Sequence, residues 1–350
     1  MATVRTSMTA AGLGAALALA VATAPAHAAV TAYVAVGDSF SSGTGTRSYI
    51  NDGTACQRSV YAYPSLLAAS KKLTLNFRAC SGATVANVTN SQLSALTATT
   101  THITISVGGN DAGFADVLTE CAQPAWMSDC NGAIDDAQYI INSVLPSRLS
   151  TLYSSIRSKA PNARVTVVGY PRIFNGEDCN AATWFSPTEE SRLNATADLL
   201  NSKTSAQAGA RGFAFANPTS AFVGHAVCDD PEWLNGLSSP ITESYHPNRP
   251  GHSGYAGVVS PKLVGTAYTT SALVAARASA SASSLAAQQR RYAAVDASIT
   301  AKEFVAPNLG TPEARAAARA AGVDLSSRAS IDAADRSYSD RQAAELAARG

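Results

Sequence analysis

The feature that most constrains the fold is an alternation of short β-branched runs with longer helical patterns, from Thr31 to about Gly265. This alternation is typical of βαβ units, in which helices connect the strands of a parallel sheet. We therefore expect an α/β fold, a three-layer α/β/α sandwich around a central parallel sheet of about five strands. Pro146 should start or kink a helix between the third and fourth strands. The predicted strands are AYVAVGD (32–38), LTLNFRA (73–79), HITISVGG (102–109), ARVTVVGY (163–170) and GFAFANP (212–218).

The N-terminus has the pattern of a secretory signal peptide. Arg5 precedes an apolar run from about Ala10 to Ala24, and small residues stand at Ala26 and Ala28. This pattern predicts cleavage before Ala29 and export of the mature chain. A membrane anchor is the alternative, but it needs about 20 apolar residues and has no cleavage site. No later stretch is apolar enough to span a bilayer.

Length, composition and charge indicate an ordinary globular protein. The chain has 350 residues, 46% of them hydrophobic and 15% charged, which suits one large domain or one domain with an appendage. The net charge is +1 and no long basic run is present. The chain therefore lacks the basic surface of nucleic-acid-binding proteins and a polybasic membrane patch. We expect a monomer that acts on small molecules or neutral surfaces.

Six cysteines, an even number, all follow the predicted cleavage site. Export places them in oxidising conditions, so three disulfides are expected. Pairing each cysteine with its sequence neighbour closes the shortest loops, although other connectivities are open. A zinc site is disfavoured because no C-x-x-C pair is present. The expected disulfides are Cys56 with Cys80, Cys121 with Cys130, and Cys179 with Cys228.

The composition changes near Ala267, where a tail rich in Ala, Ser and Arg begins. We therefore divide the chain into a signal peptide (1–28), a globular domain (29–267) and a C-terminal extension (268–350). Thr311, Pro312 and Gly322 carry the start and stop signals of a helix. The extension has few large apolar residues, so we expect short helices that dock loosely. The sequence indicates no function for it.

Chemistry is expected at the carboxyl ends of the strands, where open α/β sheets bind ligands. Three motifs follow predicted strands: GDS with Ser39, CSGA with Gly82 and GGND with Asn110. Ser39 needs a base to act as a nucleophile, and histidine is the usual partner. His246 and His252 compete for that role in the segment ESYHPNRPGH. They could instead hold a metal, but neither their spacing nor a third ligand supports this.

The two remaining histidines of the mature chain are interpreted as structural. His102 precedes a strand and His225 lies near Cys228. His252 could cap or pack the last helix of the domain, whereas His246 precedes Pro247 in a loop. A loop can carry an imidazole to the strand ends, which favours His246 as the base.

The three motifs, followed by the dipeptide HP with His246, occur in the order of the four blocks of the SGNH, or GDSL, hydrolases. From about Thr31 to Gly265 the chain resembles their secreted bacterial lipase and esterase branch. The resemblance implies a flavodoxin-like sandwich and a serine hydrolase that needs no metal or cofactor. It also implies that Ser39 is the nucleophile and His246 the base. The oxyanion donors would be the backbone N–H groups of Ser39 and Gly82 and the side chain of Asn110.

The group that orients His246 is left open. Many members of the family place an aspartate three residues before the histidine, and Glu243 stands there in this chain. The backbone carbonyl of Ser244 is the alternative, and SYHPN resembles secreted members that lack a triad acid. We favour the carbonyl. Asp38 is interpreted as a local hydrogen-bonding residue that fixes the turn.

These interpretations predict a secreted serine esterase or lipase that cleaves acyl esters through an acyl-enzyme. A phospholipase or a carbohydrate acetylesterase could use the same site. A non-catalytic binding protein on a hydrolase scaffold is the alternative from another class. Four aromatic residues in loops near cysteines could line an acyl pocket or simply pack the loops. They are Trp126, Trp184, Trp233 and Phe185.

Overall fold

The predicted strands form one parallel sheet in the computed structural model, which describes residues 1–8 and 32–349. The apolar run and cleavage site predicted within residues 9–31 lie outside the described residues. The strand order is β2-β1-β3-β4-β5, which is the flavodoxin-like order of doubly wound sheets. This confirms the expected fold class. The strands are β1 (Ala32–Gly37), β2 (Thr74–Phe77), β3 (His102–Ser106), β4 (Arg164–Val168) and β5 (Ala214–Ala216).

The central strands are buried on both faces, as parallel strands between two helical layers must be. In the register, Val34 of β1 pairs with Ile103 of β3, and Ile103 pairs in turn with Val165 of β4. All three side chains are buried. β-branched residues suit such positions because they pack well on a pleated surface.

Eight α-helices occur from Ser39 to Val264 of the described chain. Helices α2 and α8 pack against each other, and α5, α6 and α7 form a second group. They are α1 (Ser39–Ser42), α2 (Tyr63–Lys71), α3 (Val85–Asn87), α4 (Phe114–Cys121), α5 (Cys130–Tyr139), α6 (Leu145–Lys159), α7 (Pro187–Gly209) and α8 (Arg249–Val264). π-helical segments span Val88–Gln92 and Ile140–Val144, and 3₁₀ segments span Leu93–Ala95 and Ile241–Glu243.

Pro146 lies in the first turn of α6 and starts that helix. Proline is tolerated there because its missing N–H would have no partner within the helix. The π-helical segment Ile140–Val144 connects α5 to α6 without an intervening loop.

The six cysteines form three disulfides: Cys56–Cys80, Cys121–Cys130 and Cys179–Cys228. This is the pairing of sequence neighbours. The first disulfide joins the loop before α2 to the segment after β2, which carries Gly82. A cross-link at this position restricts the loops on the same side of the sheet as Ser39.

The C-terminal extension contains five helices in its described part and is more closely docked than expected. Helix α9 packs on α2, and α10 packs on β2. Thr311 caps α12 and Gly322 ends it, as predicted. The helices are α9 (Ala272–Ala280), α10 (Ala282–Arg290), α11 (Ala293–Asp296), α12 (Pro312–Ala321) and α13 (Arg328–Arg349).

Residues 32–349 belong to a single compact unit. Buried apolar side chains such as Val274, Leu285 and Phe304 pack the extension against the core, and a buried ion pair, described below, joins it to the body of the protein. Helix α13 is the second longest of the described helices, with 22 residues. None of the described helices has the length and apolar character that a membrane span requires.

Candidate active site

Ser39 is the first residue of α1, directly after β1 at the carboxyl edge of the sheet. Asp38 fixes this turn. Its carboxylate accepts hydrogen bonds from the N–H of Phe40, at 3.1 Å, from Ser106 Oγ, at 2.7 Å, and from the Tyr170 hydroxyl. Burial raises the pKa of Asp38 to about 6. All of these contacts hold the turn that presents Ser39, and Asp38 makes no hydrogen bond to His246.

His246 approaches Ser39 from the loop between the 3₁₀ segment and α8. The distance from His246 Nε2 to Ser39 Oγ is 2.9 Å. The loop is held on both sides of the histidine: Asn235 N–H donates to the carbonyl of His246, and Tyr245 N–H donates to the carbonyl of Asn235, both at 2.9 Å. The imidazole is therefore positioned to accept the serine proton.

The backbone carbonyl of Ser244 lies 2.8 Å from Nδ1 of His246. The Glu243 carboxylate is buried and bonded elsewhere: it accepts a hydrogen bond from the Tyr49 hydroxyl, at 2.6 Å, and lies 3.6 Å from Nε of Arg47. Of the two groups considered for orienting His246, the structure thus places the Ser244 carbonyl, and not Glu243, against the ring.

Burial lowers the pKa of His246 to about 4, although the Ser244 carbonyl acts in the opposite direction. The ring is therefore neutral at neutral pH. With Nδ1 donating its proton to the Ser244 carbonyl, Nε2 is left as an acceptor that faces Ser39 Oγ. This tautomer is the one that a general base at this position requires.

Gly82 and Asn110 come together beside Ser39. Gly82 has a φ of +82°, which favours glycine. The Asn110 side-chain amide donates to the carbonyl of Ala83, at 3.1 Å, and this bond holds Asn110 against the loop that carries Gly82. Ser39, Gly82, Asn110 and His246 all line one cleft of about 450 Å³.

A second, apolar pocket of about 80 Å³ opens from the other side of Ser39. Ser39, Asn110 and Phe114 line both cavities, whereas His246 lines only the larger cleft. Apolar side chains form most of the pocket wall. They include Phe40, Val117, Leu118, Ile141, Ile173 and Leu200.

The aromatic residues considered for an acyl pocket lie elsewhere. Trp126 belongs to a separate apolar cluster in which Trp184 and helices α12 and α13 also take part. Trp233 stacks on His225 with ring centroids 3.9 Å apart. Phe185 packs between Phe174 and Tyr245. Loop aromatics near cysteines thus pack loops here, and the pocket is built by residues that follow strand ends or lie on helices.

The other histidines make local contacts. His252 is buried in α8, where Nδ1 accepts a hydrogen bond from the Tyr63 N–H at 3.4 Å, and burial lowers its pKa to about 3. His102 Nδ1 lies 2.9 Å from Thr101 Oγ1. His225 Nδ1 lies 2.8 Å from the carbonyl of Pro231. None of these three rings lines the cleft around Ser39.

Residues 35–253 match the model of the GDSL-like Lipase/Acylhydrolase family. The chain is also similar to Lipase 1 of Streptomyces coelicolor, with 43% identity over 230 residues that cover 65% of this chain and 84% of the relative. The lipase of Streptomyces rimosus is 42% identical over 233 residues, which cover 66% of this chain and 86% of that protein.

Two crystal structures show the same fold at similar identity. The extracellular lipase from Streptomyces rimosus has a TM-score of 0.63 and 40% identity, with 66% of this chain and 99% of that chain covered. Phospholipase A1 from Streptomyces albidoflavus has the same TM-score and identity, with 67% of this chain and 100% of that chain covered. The family match ends before the C-terminal extension.

Proposed function

The chain belongs to the GDSL-like lipase/acylhydrolase family and is a carboxylic ester hydrolase, and we propose that it is a secreted serine esterase or lipase that works through an acyl-enzyme on Ser39. The observation that carries the mechanism is the chain of contacts from Ser39 Oγ to His246 Nε2, and from His246 Nδ1 to the carbonyl of Ser244. This is the geometry of a Ser–His dyad whose histidine is oriented by a backbone carbonyl.

In the first step, Ser39 Oγ attacks the ester carbonyl carbon while His246 Nε2 takes the serine proton. The carbonyl oxygen becomes an oxyanion. We assign its stabilisation to the backbone N–H groups of Ser39 and Gly82 and to the side-chain amide of Asn110. Collapse of the intermediate breaks the bond to the alcohol, whose oxygen receives the proton from His246. Water then attacks the acyl-enzyme by the same route in reverse and regenerates Ser39.

The two cavities beside Ser39 support a proposal for where the alcohol half and the acyl half of the ester bind. The leaving alcohol must be protonated by His246, so it occupies the larger cleft, which His246 lines. The acyl chain then enters the apolar pocket. An acetyl group would leave most of this pocket empty, so the pocket favours longer acyl chains over the acetyl groups of polysaccharides.

Phospholipids are a second substrate class that we include in the proposal. A solved relative with 40% identity is a phospholipase A1. A phospholipid presents the same chemistry at the acyl ester, with a bulkier alcohol half. Vesicles of phosphatidylcholine, assayed beside butanoyl and octanoyl esters, would distinguish the two substrate classes.

Secretion is supported by the three disulfides, which persist in oxidising compartments, and by the solved relative described as an extracellular lipase. We propose that the mature chain begins at Ala29 and that residues 29–267 form the catalytic domain. We also propose that the mature protein acts as a monomer. Mass measurement of the protein recovered from culture medium would test the cleavage site.

The catalytic proposal is tested with Ser39→Ala. We expect hydrolysis of p-nitrophenyl butanoate to fall by several orders of magnitude, because only the nucleophile is removed. Ser94→Ala, at an exposed position, is the matched control and should retain full activity. A phosphonate probe should label wild-type protein at Ser39, as shown by peptide mass spectrometry. Undiminished hydrolysis by Ser39→Ala would overturn the assignment.

A further inference from the structure

Part of the C-terminal extension lines the active-site cleft. Residues 297–304, called the strap below, follow α11 and run across the cleft that holds Ser39, Gly82 and His246. The strap lies outside the region that matches the family model. The cleft that it borders has a volume of about 450 Å³.

The strap touches the loop that carries one of the oxyanion donors. A Cβ atom added to Gly82 would lie 2.3 Å from the Cα of Ala301 and 2.7 Å from its backbone nitrogen. These distances are far below van der Waals contact, so only glycine at position 82 allows the strap to pass this closely. Ala301 is therefore packed directly against the wall of the cleft.

A buried ion pair holds the beginning of the strap. Asp296, the last residue of α11, lies 2.7 Å from Arg78 and 2.6 Å from Arg58, and all three side chains are fully buried. Arg78 lies on the segment that follows β2, four residues before Gly82. A buried guanidinium without a carboxylate is strongly unfavourable, which ties the extension to the body of the protein.

The far end of the strap is held by three further contacts. Phe304 is buried, and its ring lies 5.0 Å from that of Tyr245, the neighbour of His246. The N–H of Val305 donates to Thr119 Oγ1 at 2.9 Å, and Lys302 pairs with Asp116. Because both of its ends are anchored, we treat the strap as a fixed part of the cleft wall.

The strap borders only one of the two cavities beside Ser39. All residues of the strap except Ser298 line the cleft that contains His246, and none of them lines the apolar pocket. In the mechanism proposed above, His246 protonates the leaving alcohol. The strap therefore faces the alcohol half of the ester.

We propose that the strap is a specificity element that limits the size of the alcohol in the esters this enzyme cleaves. This inference rests on the proposed function, because it assumes that Ser39 and His246 are the reacting groups. It assigns a role to the C-terminal extension, with Thr300 and Ala301 as the residues that set the limit.

The experiment uses the full chain and three esters that share one acyl group: methyl, butyl and cyclohexylmethyl butanoate. We expect Thr300→Trp to lower kcat/KM for the cyclohexylmethyl ester at least about 10-fold more than for the methyl ester, since added bulk narrows the cleft. Ala301→Gly should raise kcat/KM for the bulkiest ester only. The hydrolysis rate of the butanoyl-enzyme should not change, because the alcohol has already left.

Ala316→Trp, at an exposed position on α12, is the matched control and should leave all three values unchanged. Ala301→Gly adds no volume, so it tests the wall even where a tryptophan at position 300 prevents folding. An equal change for all three esters, or no change in either variant, would overturn the role of the strap. Failure of the wild-type protein to hydrolyse any of the esters would instead overturn the proposed function.

Discussion

The carboxylate of Asp296 lies 2.7 Å from the guanidinium of Arg78, and both side chains are completely buried. These residues are 218 positions apart in the chain. Arg58, which also contacts Asp296, has a second buried partner in Asp52, at 2.6 Å. Compared with Arg58, Arg78 relies more on Asp296 for its counter-charge, because it donates to both carboxylate oxygens of Asp296. The other neighbours of the Arg78 guanidinium include Gln289 and the ring of Tyr292.

Asp296→Asn is expected to destabilise the protein by about 3–5 kcal/mol, because it leaves a buried guanidinium without its counter-charge. Urea unfolding of the full chain, followed by far-UV circular dichroism, gives the free energy. Asp198→Asn is the matched control: its carboxylate pairs with Arg172 at the protein surface, where such pairs contribute about 1 kcal/mol or less. Equal stability of the two variants would show that the buried pair does not hold the extension.

Glu243→Gln is expected to reduce kcat/KM by less than about 10-fold. Glu243 makes its hydrogen bond to Tyr49 and not to His246, and glutamine can still accept that bond. The measurement is steady-state hydrolysis of p-nitrophenyl butanoate, with circular dichroism to check folding. If activity fell by several orders of magnitude in a folded variant, Glu243 and not the Ser244 carbonyl would be the group that orients the histidine.

Asn110→Ala is expected to reduce kcat by about 100- to 1,000-fold with a much smaller change in KM, because an oxyanion donor acts mainly in the transition state. Asn142→Ala, at an exposed position, is the control and should behave like the wild-type enzyme. A variant that lost binding but kept its turnover rate would show that Asn110 only lines the cleft.

The pH profile of kcat/KM should have its acidic limb near pH 4, because burial lowers the pKa of His246 to about 4. Below that pH the ring is protonated and cannot accept the serine proton. Activity therefore rises with pH through this value and is level as neutrality is approached. A stopped assay of butanoate release between pH 3.5 and 8 measures the limb. A midpoint near 6.5, the ordinary histidine value, would contradict the effect of burial.

His252→Leu should change how stability depends on pH. Burial lowers the pKa of His252 to about 3, so between pH 6.5 and this value the unfolded chain binds a proton that the folded protein excludes. The group therefore destabilises the fold as pH falls below 6.5. The difference in unfolding free energy between wild type and variant should shift by up to about 1.4 kcal/mol per pH unit in that window. A difference that is independent of pH would show that His252 is readily protonated in the folded state.

Local patterns in the sequence were sufficient for the fold. The five strands were predicted from short runs of β-branched, aromatic and other apolar residues, and the start of α6 from Pro146, because strand and helix preferences act over a few residues. The motifs with Ser39, Gly82, Asn110 and His246 could be grouped because each follows a strand or lies in a loop that reaches the same edge of the sheet. The structure brings these four residues to one cleft.

Contacts between distant residues were decided only by the tertiary structure. The sequence left Glu243 and the Ser244 carbonyl as alternatives, because the direction of a carbonyl depends on the packing of the whole loop. It also predicted a loosely docked extension, since few large apolar residues are present there. Docking in fact combines a few buried apolar side chains, such as Leu285 and Phe304, with Asp296, one charged residue whose burial is possible only where Arg58 and Arg78 lie. Such a pairing follows from three-dimensional proximity, and no local pattern in the chain records it.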